Sequence, residues 1–136
     1  MSGAVLSRQV ELLQAVADPN RLRILGCLLV RPACVCELMQ ALGIPQPRIS
    51  RHLRILKSVG LVQDRREAQW VEYSLAPAPE GSLEVQVLGL VERLLAQAES
   101  AAEDRCRLAA AKRSAFGPIE AGRAISARQR AATVRE

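Results

Sequence analysis

The sequence predicts a mainly α fold that carries one small β-hairpin, and three observations lead there. Aromatic residues are only 2% of the 136-residue chain, so the core has to be built from Leu, Val, Ile and Ala, which favours packed helices over a large sheet. Apolar residues recur along most of the chain at helical spacing. Between Leu61 and Leu75 the period falls to two. The length fits one domain, and 49% hydrophobic with 24% charged residues is a globular balance rather than a disordered one.

Leu6, Val10, Leu13 and Ala17 mark a first amphipathic helix over about 4–17. Asp18-Pro19 then supplies an N-cap and a first-position proline for a second helix through Leu22, Leu25 and Leu29, stopped at Arg31-Pro32. A short third helix runs from about Cys34 to Leu42, with Val35, Leu38 and Leu42 inward and Gly43 as a left-handed stop. The fourth begins after Ile44-Pro45 and ends at Gly60. Its inner face is Ile49, Leu53 and Leu56; at about 100° per residue, Pro47, Ser50, Arg51, Arg54 and Ser58 fall on the opposite side. Two short helices joined by a tight Gly-containing turn, the second basic outside, make a helix-turn-helix whose second helix enters the major groove.

Leu61 to Arg66 and Gln69 to Leu75 read as a hairpin with its tip near Glu67-Ala68, and a hairpin directly after a recognition helix is a wing. Ala76-Pro77-Ala78-Pro79 is a loop. Ser82 caps a long fifth helix, Leu83 to about Phe116, whose stripe of Leu83, Val87, Leu90, Val91, Leu94, Leu95 and Ala98 exceeds what its own core can cover. That stripe suggests a homodimer seam, paired with the first helix. Gly117-Pro118 breaks the helix. The expected organisation is therefore a winged helix-turn-helix and dimerisation domain over 1–116 and a flexible Ala/Arg-rich tail over 117–136.

Charge points to the partner. The net charge is +5 with a pI near 9.6. Between Gln46 and Arg66 lie Arg48, Arg51, Arg54, Lys57, Arg65 and Arg66 against Asp64 alone, so this window carries the whole net charge. A solvated helix face usually mixes signs; this one does not, which suggests a surface for phosphates of double-stranded DNA. Gln46, Ser50, Arg51 and Arg54 are the expected groove-facing set, and Arg48, Lys57, Arg65 and Arg66 the expected phosphate contacts. His52 lies at the edge of core and groove, either packed or phosphate-bonded, or a base reader. The operator should be a near-palindrome matching dimer symmetry.

No apolar stretch approaches the roughly 18–20 residues of a membrane span, and Met1 to Ser7 lacks the features of a signal peptide. A cytoplasmic protein with no membrane partner is expected, its four cysteines reduced. Cys27 falls in the apolar run of the second helix and reads as a core thiol. Cys34 and Cys36 differ: residues two apart on a helix point about 200° apart, so both cannot sit in one core and at least one should reach solvent.

Ala33-Cys34-Val35-Cys36-Glu37-Leu38, Gln46-Pro47-Arg48-Ile49-Ser50-Arg51-His52-Leu53 and Trp70-Val71-Glu72-Tyr73-Ser74-Leu75 together resemble the arsenical-resistance repressor family, metal-responsive winged helix-turn-helix dimers, over roughly 5–110. The helix and wing motifs are common to the superfamily; Cys-Val-Cys resembles the arsenite and antimonite sensors and also the cadmium and lead sensors. The resemblance implies a repressor that needs no cofactor to bind DNA and is released by As(III) or Sb(III), alternatively Cd(II) or Pb(II), with Cys34 and Cys36 as soft thiolate ligands. The arsenite branch carries a third cysteine one turn later, where this chain has Met39. A third donor would be hydroxide, water or Cys106 on the fifth helix. Cadmium sensors borrow cysteines from an N-terminal arm, and residues 1–26 have none; zinc sensors use histidine on the last helix, which also has none. On an ideal helix the two thiolates can grip one atom only if the first turn of the third helix unwinds.

Other classes fit less well. A thiol-redox or persulfide switch would need a strained disulfide between residues two apart. A thiol enzyme such as an arsenate reductase wants a phosphate loop or a Cys-x-x-Cys turn, and neither is present, so no catalytic residue is assigned. Metal buffering leaves the basic helix and wing unexplained.

Overall fold

The computed structural model describes the backbone of residues 2–113 and the side chains of 6–113. The chain order is α1 (Ser2–Val16), α2 (Pro19–Val30), β1 (Ala33–Cys34), α3 (Val35–Leu42), α4 (Gln46–Ser58), β2 (Val62–Glu67), β3 (Trp70–Leu75), α5 (Leu83–Leu95) and α6 (Glu99–Ala110). This is the mainly helical winged helix-turn-helix that the sequence predicts. The expected tail over 117–136, and the last residues of the expected fifth helix, lie outside the described residues.

α2 is the central helix. Asp18 caps it in extended conformation, its Oδ2 accepting the Arg21 N–H at 3.0 Å. Ile24, Leu25, Cys27 and Leu28 are buried because α1, α3, α4, α5 and α6 all pack on it. Gly26 lets α5 approach closely: a Cβ there would stand 2.9 Å from the Leu95 side chain.

Three local expectations are corrected. On α1 the core face is Leu12, Ala15 and Val16, whereas Leu6, Val10 and Leu13 of the predicted stripe are exposed, as is Ala17. The helix is apolar on two sides, and the periodicity picked the outer one. The wing is not two-stranded. β1 joins it, giving an antiparallel sheet in the order β1-β3-β2, with Ala33 opposite Tyr73 and Cys34 opposite Glu72. A strand of two residues has no period to read.

The third correction is the single helix expected over 83–116, which is two helices. α5 ends at Leu95, and Ala98 is extended (φ −104°, ψ 123°) before α6 starts at Glu99. In one straight helix Leu108 would lie about 220° round from Leu95, facing away from the core. The break lets α6 fold back on α2 and α3, burying Ala101, Asp104 and Leu108. Of these two helices it is α5 that keeps an outward apolar face, with Val85, Leu90 and Leu94 exposed.

Candidate DNA interface and thiol site

α3 and α4 form the helix-turn-helix, joined through Gly43 in the left-handed region at φ 69°, which favours glycine. Ile49, Leu53 and Leu56 are fully buried, so the orientation of α4 is fixed by its inner face. That packing turns Arg48, Arg51, Arg54 and Lys57 out to solvent. Among the described residues Arg48, Arg51, Arg54 and Arg66 make no ion pair, while Lys57 is paired with Asp64 at 3.0 Å and Arg65 with Glu67 and Glu72. Unpaired cations of one sign, gathered on one helix and the adjoining hairpin, form a surface for a polyanion.

Within the expected groove set Gln46 is turned inward, and His52, left open between core and groove, is tied inward as well. Gln46 is buried, 4% exposed, because its side chain folds back one turn and donates from Nε2 to Ser50 Oγ at 2.7 Å. It is not presented outward, and the Ser50 hydroxyl, half-buried, already has a partner. His52 is tied inward, with Nδ1 at 3.2 Å from the Arg21 guanidinium and Nε2 at 4.0 Å from Asp18 Oδ2. Burial, helped by the charges of Arg21, Arg51 and Arg48 and opposed by Asp18, holds its pKa below the ordinary histidine value. The packed alternative fits: a neutral ring accepts from Arg21 and pins α4 to the start of α2.

Cys34 and Cys36 are both buried, 0% and 4% exposed, which overturns the expectation that one reaches solvent. The 200° argument fails because Cys34 is not in the helix: it is the extended N-cap of α3 (φ −90°, ψ 163°) and part of β1, while α6 covers α3. For the same reason no helical turn has to unwind to free Cys34. Its N–H donates to Glu37 Oε1 at 2.8 Å, and the buried Glu37 carboxylate also receives Arg31 at 3.3 Å. Arg31 in turn donates to Leu108 O of α6 at 2.8 Å. Sequence reasoning missed Glu37, although a glutamate three residues after an N-cap is the capping-box spacing, here with cysteine in place of serine.

Cys106 does not join the pair within the chain. It is exposed on α6, two residues from each of the buried Asp104 and Leu108 and so on the opposite face. Among the described residues no three of His, Cys, Asp and Glu are grouped to hold a metal ion. Burial pushes the Cys27 thiol up to about 11 and the Cys34 thiol up to about 12, the latter against the pull of the Arg113 charge. Native protein treated briefly with iodoacetamide at neutral pH is therefore expected to take label on Cys106 alone, and on all four cysteines after denaturation. Peptide mass mapping reads this directly, and rapid native labelling of Cys34 would contradict the closed site.

The comparisons agree with this geometry. The family described as "Bacterial regulatory protein, arsR family" matches residues 18–64, from the cap of α2 into the wing. The arsenic resistance transcriptional regulator ArsR1 of Pseudomonas putida is 40% identical over 98 residues, covering 71% of this chain and 73% of its own length. The arsenical resistance operon repressor of Escherichia coli is 44% identical over 69 residues, covering 50% of this chain and 59% of that protein. Among solved structures, the homodimeric winged helix-turn-helix DNA-binding domain Mb0332 of Mycobacterium bovis, a possible ArsR-family transcriptional regulator, superposes with a TM-score of 0.59 at 28% identity, over 75% of this chain and 88% of that one. With its fold, its basic recognition helix and its wing, this chain belongs to the arsR family of DNA-binding transcriptional repressors.

Proposed function

We propose that the protein is a homodimeric operator-binding repressor released when As(III) or Sb(III) binds Cys34 and Cys36. One observation carries the reading. The thiol pair sits where β1 joins wing strand β3 and α3 begins, so a ligand there touches both halves of the DNA-binding unit. The arsenic-resistance relatives support the choice of inducer. Soft thiolates suit a thiophilic centre; with Cys106 facing away, the third donor is hydroxide or water rather than a side chain of the same subunit. On the DNA side Arg51 and Arg54 reach base edges, while Arg48, Lys57, Arg65 and Arg66 hold phosphates.

Release follows from linkage. An inducer shifts an equilibrium only by its different affinity for the two states. The DNA-competent state keeps both thiols enclosed, and a ligand bound to both needs that enclosure opened, which moves β1 and α3 against the wing and α4. A coupling of about 1–3 kcal/mol, roughly 5–150-fold in operator affinity, is the usual size. Fluorescence anisotropy on the DNA upstream of the gene, with reduced protein, tests this. Micromolar arsenite should release the parent, whereas Cys34→Ser and Cys36→Ser should bind DNA normally and stay bound. Release by cadmium or an oxidant but not by arsenite would keep the repressor and replace its inducer.

A further inference from the structure

Glu72 stands at the centre of the sheet. Its partner on one side is Cys34 of β1 and on the other Arg65 of β2. Directly opposed residues of antiparallel strands place their side chains on one face, with Cβ atoms about 4.5–5.5 Å apart. Cys34, Glu72 and Arg65 therefore form one row, from the thiol pair to the wing. The carboxylate is shared: Oε1 accepts from Arg65 at 3.2 Å and Oε2 from Arg113 at 3.0 Å. Arg113 also lies 5.6 Å from the Trp70 ring centroid, in cation–π range. The segment after α6 that carries it is held to α3 by Gln40, which donates to Lys112 O at 2.5 Å and accepts from Lys112 N–H at 3.2 Å.

We propose that Arg113 and Glu72 are positioning residues for DNA binding: Arg113 shares the Glu72 carboxylate, loosens its hold on wing Arg65, and so lets Arg65 turn to a DNA phosphate. This rests on the reading of Arg65 as a phosphate contact. The two ion pairs are unequal. Arg65 is 68% exposed at its side chain and Arg113 30%, so Arg65 is the partner that can leave and Arg113 the one that stays. Without Arg113, Arg65 is left to balance both Glu67, at 2.6 Å, and Glu72, at 3.2 Å, so the wing presents one uncompensated negative charge beside the phosphate backbone. Arg113 thereby favours DNA binding without touching DNA, from the row that Glu72 shares with Cys34.

The test is operator affinity without inducer, across a series of salt concentrations. Arg65→Ala should weaken binding and reduce the salt slope by about one. Arg113→Ala should weaken binding about two- to five-fold, the size of a partly exposed pair, with Arg113→Lys retaining most of the affinity. In a Glu72→Gln background the Arg113→Ala substitution should cost nothing further. An Arg113→Ala loss that persists beside Glu72→Gln means Arg113 contacts DNA or only holds the fold, and no loss at all is equally fatal. If Arg65→Ala changes neither affinity nor slope, the wing-contact reading itself fails, and the proposal with it.

Discussion

Leu94→Glu and Leu13→Glu are each expected to keep their helical content, to run as monomers, and to bind the operator about 10²–10⁴-fold more weakly than the parent, the factor lost when two linked modules become independent. Leu94 is 55% and Leu13 52% exposed, so neither side chain is needed by its own subunit's core. Together with Leu6, Val10, Val85 and Leu90 they put apolar surface on α1 and α5. These helices pack on each other and are joined by the Arg8–Glu84 ion pair. Exposed apolar faces of that kind mark an interaction site, and a two-fold partner would present the same face in return. The α4 helices of two subunits then reach successive major grooves about 34 Å apart, and each half-site raises the effective concentration of the other. Sedimentation equilibrium and anisotropy measure both outcomes. A charged variant that stays dimeric, or a monomer with parental affinity, would place the interface elsewhere.

The part of this molecule that was legible in sequence is the part where one face is apolar and the other chemically distinct. Ile49, Leu53 and Leu56 fixed the rotation of α4 because the remainder of that helix is basic, and all three are fully buried. α1 lacked that contrast. Its periodicity showed an amphipathic helix but not which apolar side is inside, and the stripe of Leu6, Val10 and Leu13 is the one available to a second subunit. The break between α5 and α6 had no local signal, since Ala96 to Glu103 is rich in helix-forming residues. What ends α5 is the docking of α6, a tertiary effect. The thiol site was legible as a pair of residues but not as geometry: two residues of β-pairing took Cys34 out of the helix, and the covering helix α6 buried Cys36 as well. Glu72 and Arg113 could not be related by sequence at all, because they are 41 residues apart and meet only where the segment after α6 reaches the central strand of the sheet.

Asp104→Ala is expected to cost the fold about 3 kcal/mol. In a domain of this size that corresponds to a melting temperature lower by roughly 10–20 °C. Asp104 is buried, with its side chain 3% exposed, and both oxygens are used: Arg23 Nε donates to Oδ2 and Arg23 Nη2 to Oδ1, each at 2.9 Å, and Arg107 donates to Oδ1 at 2.7 Å. The same guanidinium groups donate to the last carbonyls of α3, Arg23 to Leu42 O at 3.0 Å and Arg107 to Ala41 O at 2.7 Å. Those carbonyls have no partner within the helix. The carboxylate thus aims two cations at the end of α3, just before the Gly43 turn that leads into the recognition helix. Removing it leaves both cations facing each other over a buried surface, so the loss comes from stranded charge more than from a missing contact. A double variant, Arg23→Met with Asp104→Leu, separates the two causes. It removes the carboxylate and the more buried of its two cations together, leaving the half-exposed Arg107 to solvent, and should be more stable than Asp104→Ala alone because a well-packed apolar replacement avoids the desolvation penalty. Thermal melts of the three proteins decide it: equal melting temperatures for Asp104→Ala and the parent would mean that α6 docks through Ala101 and Leu108 without the ion pairs.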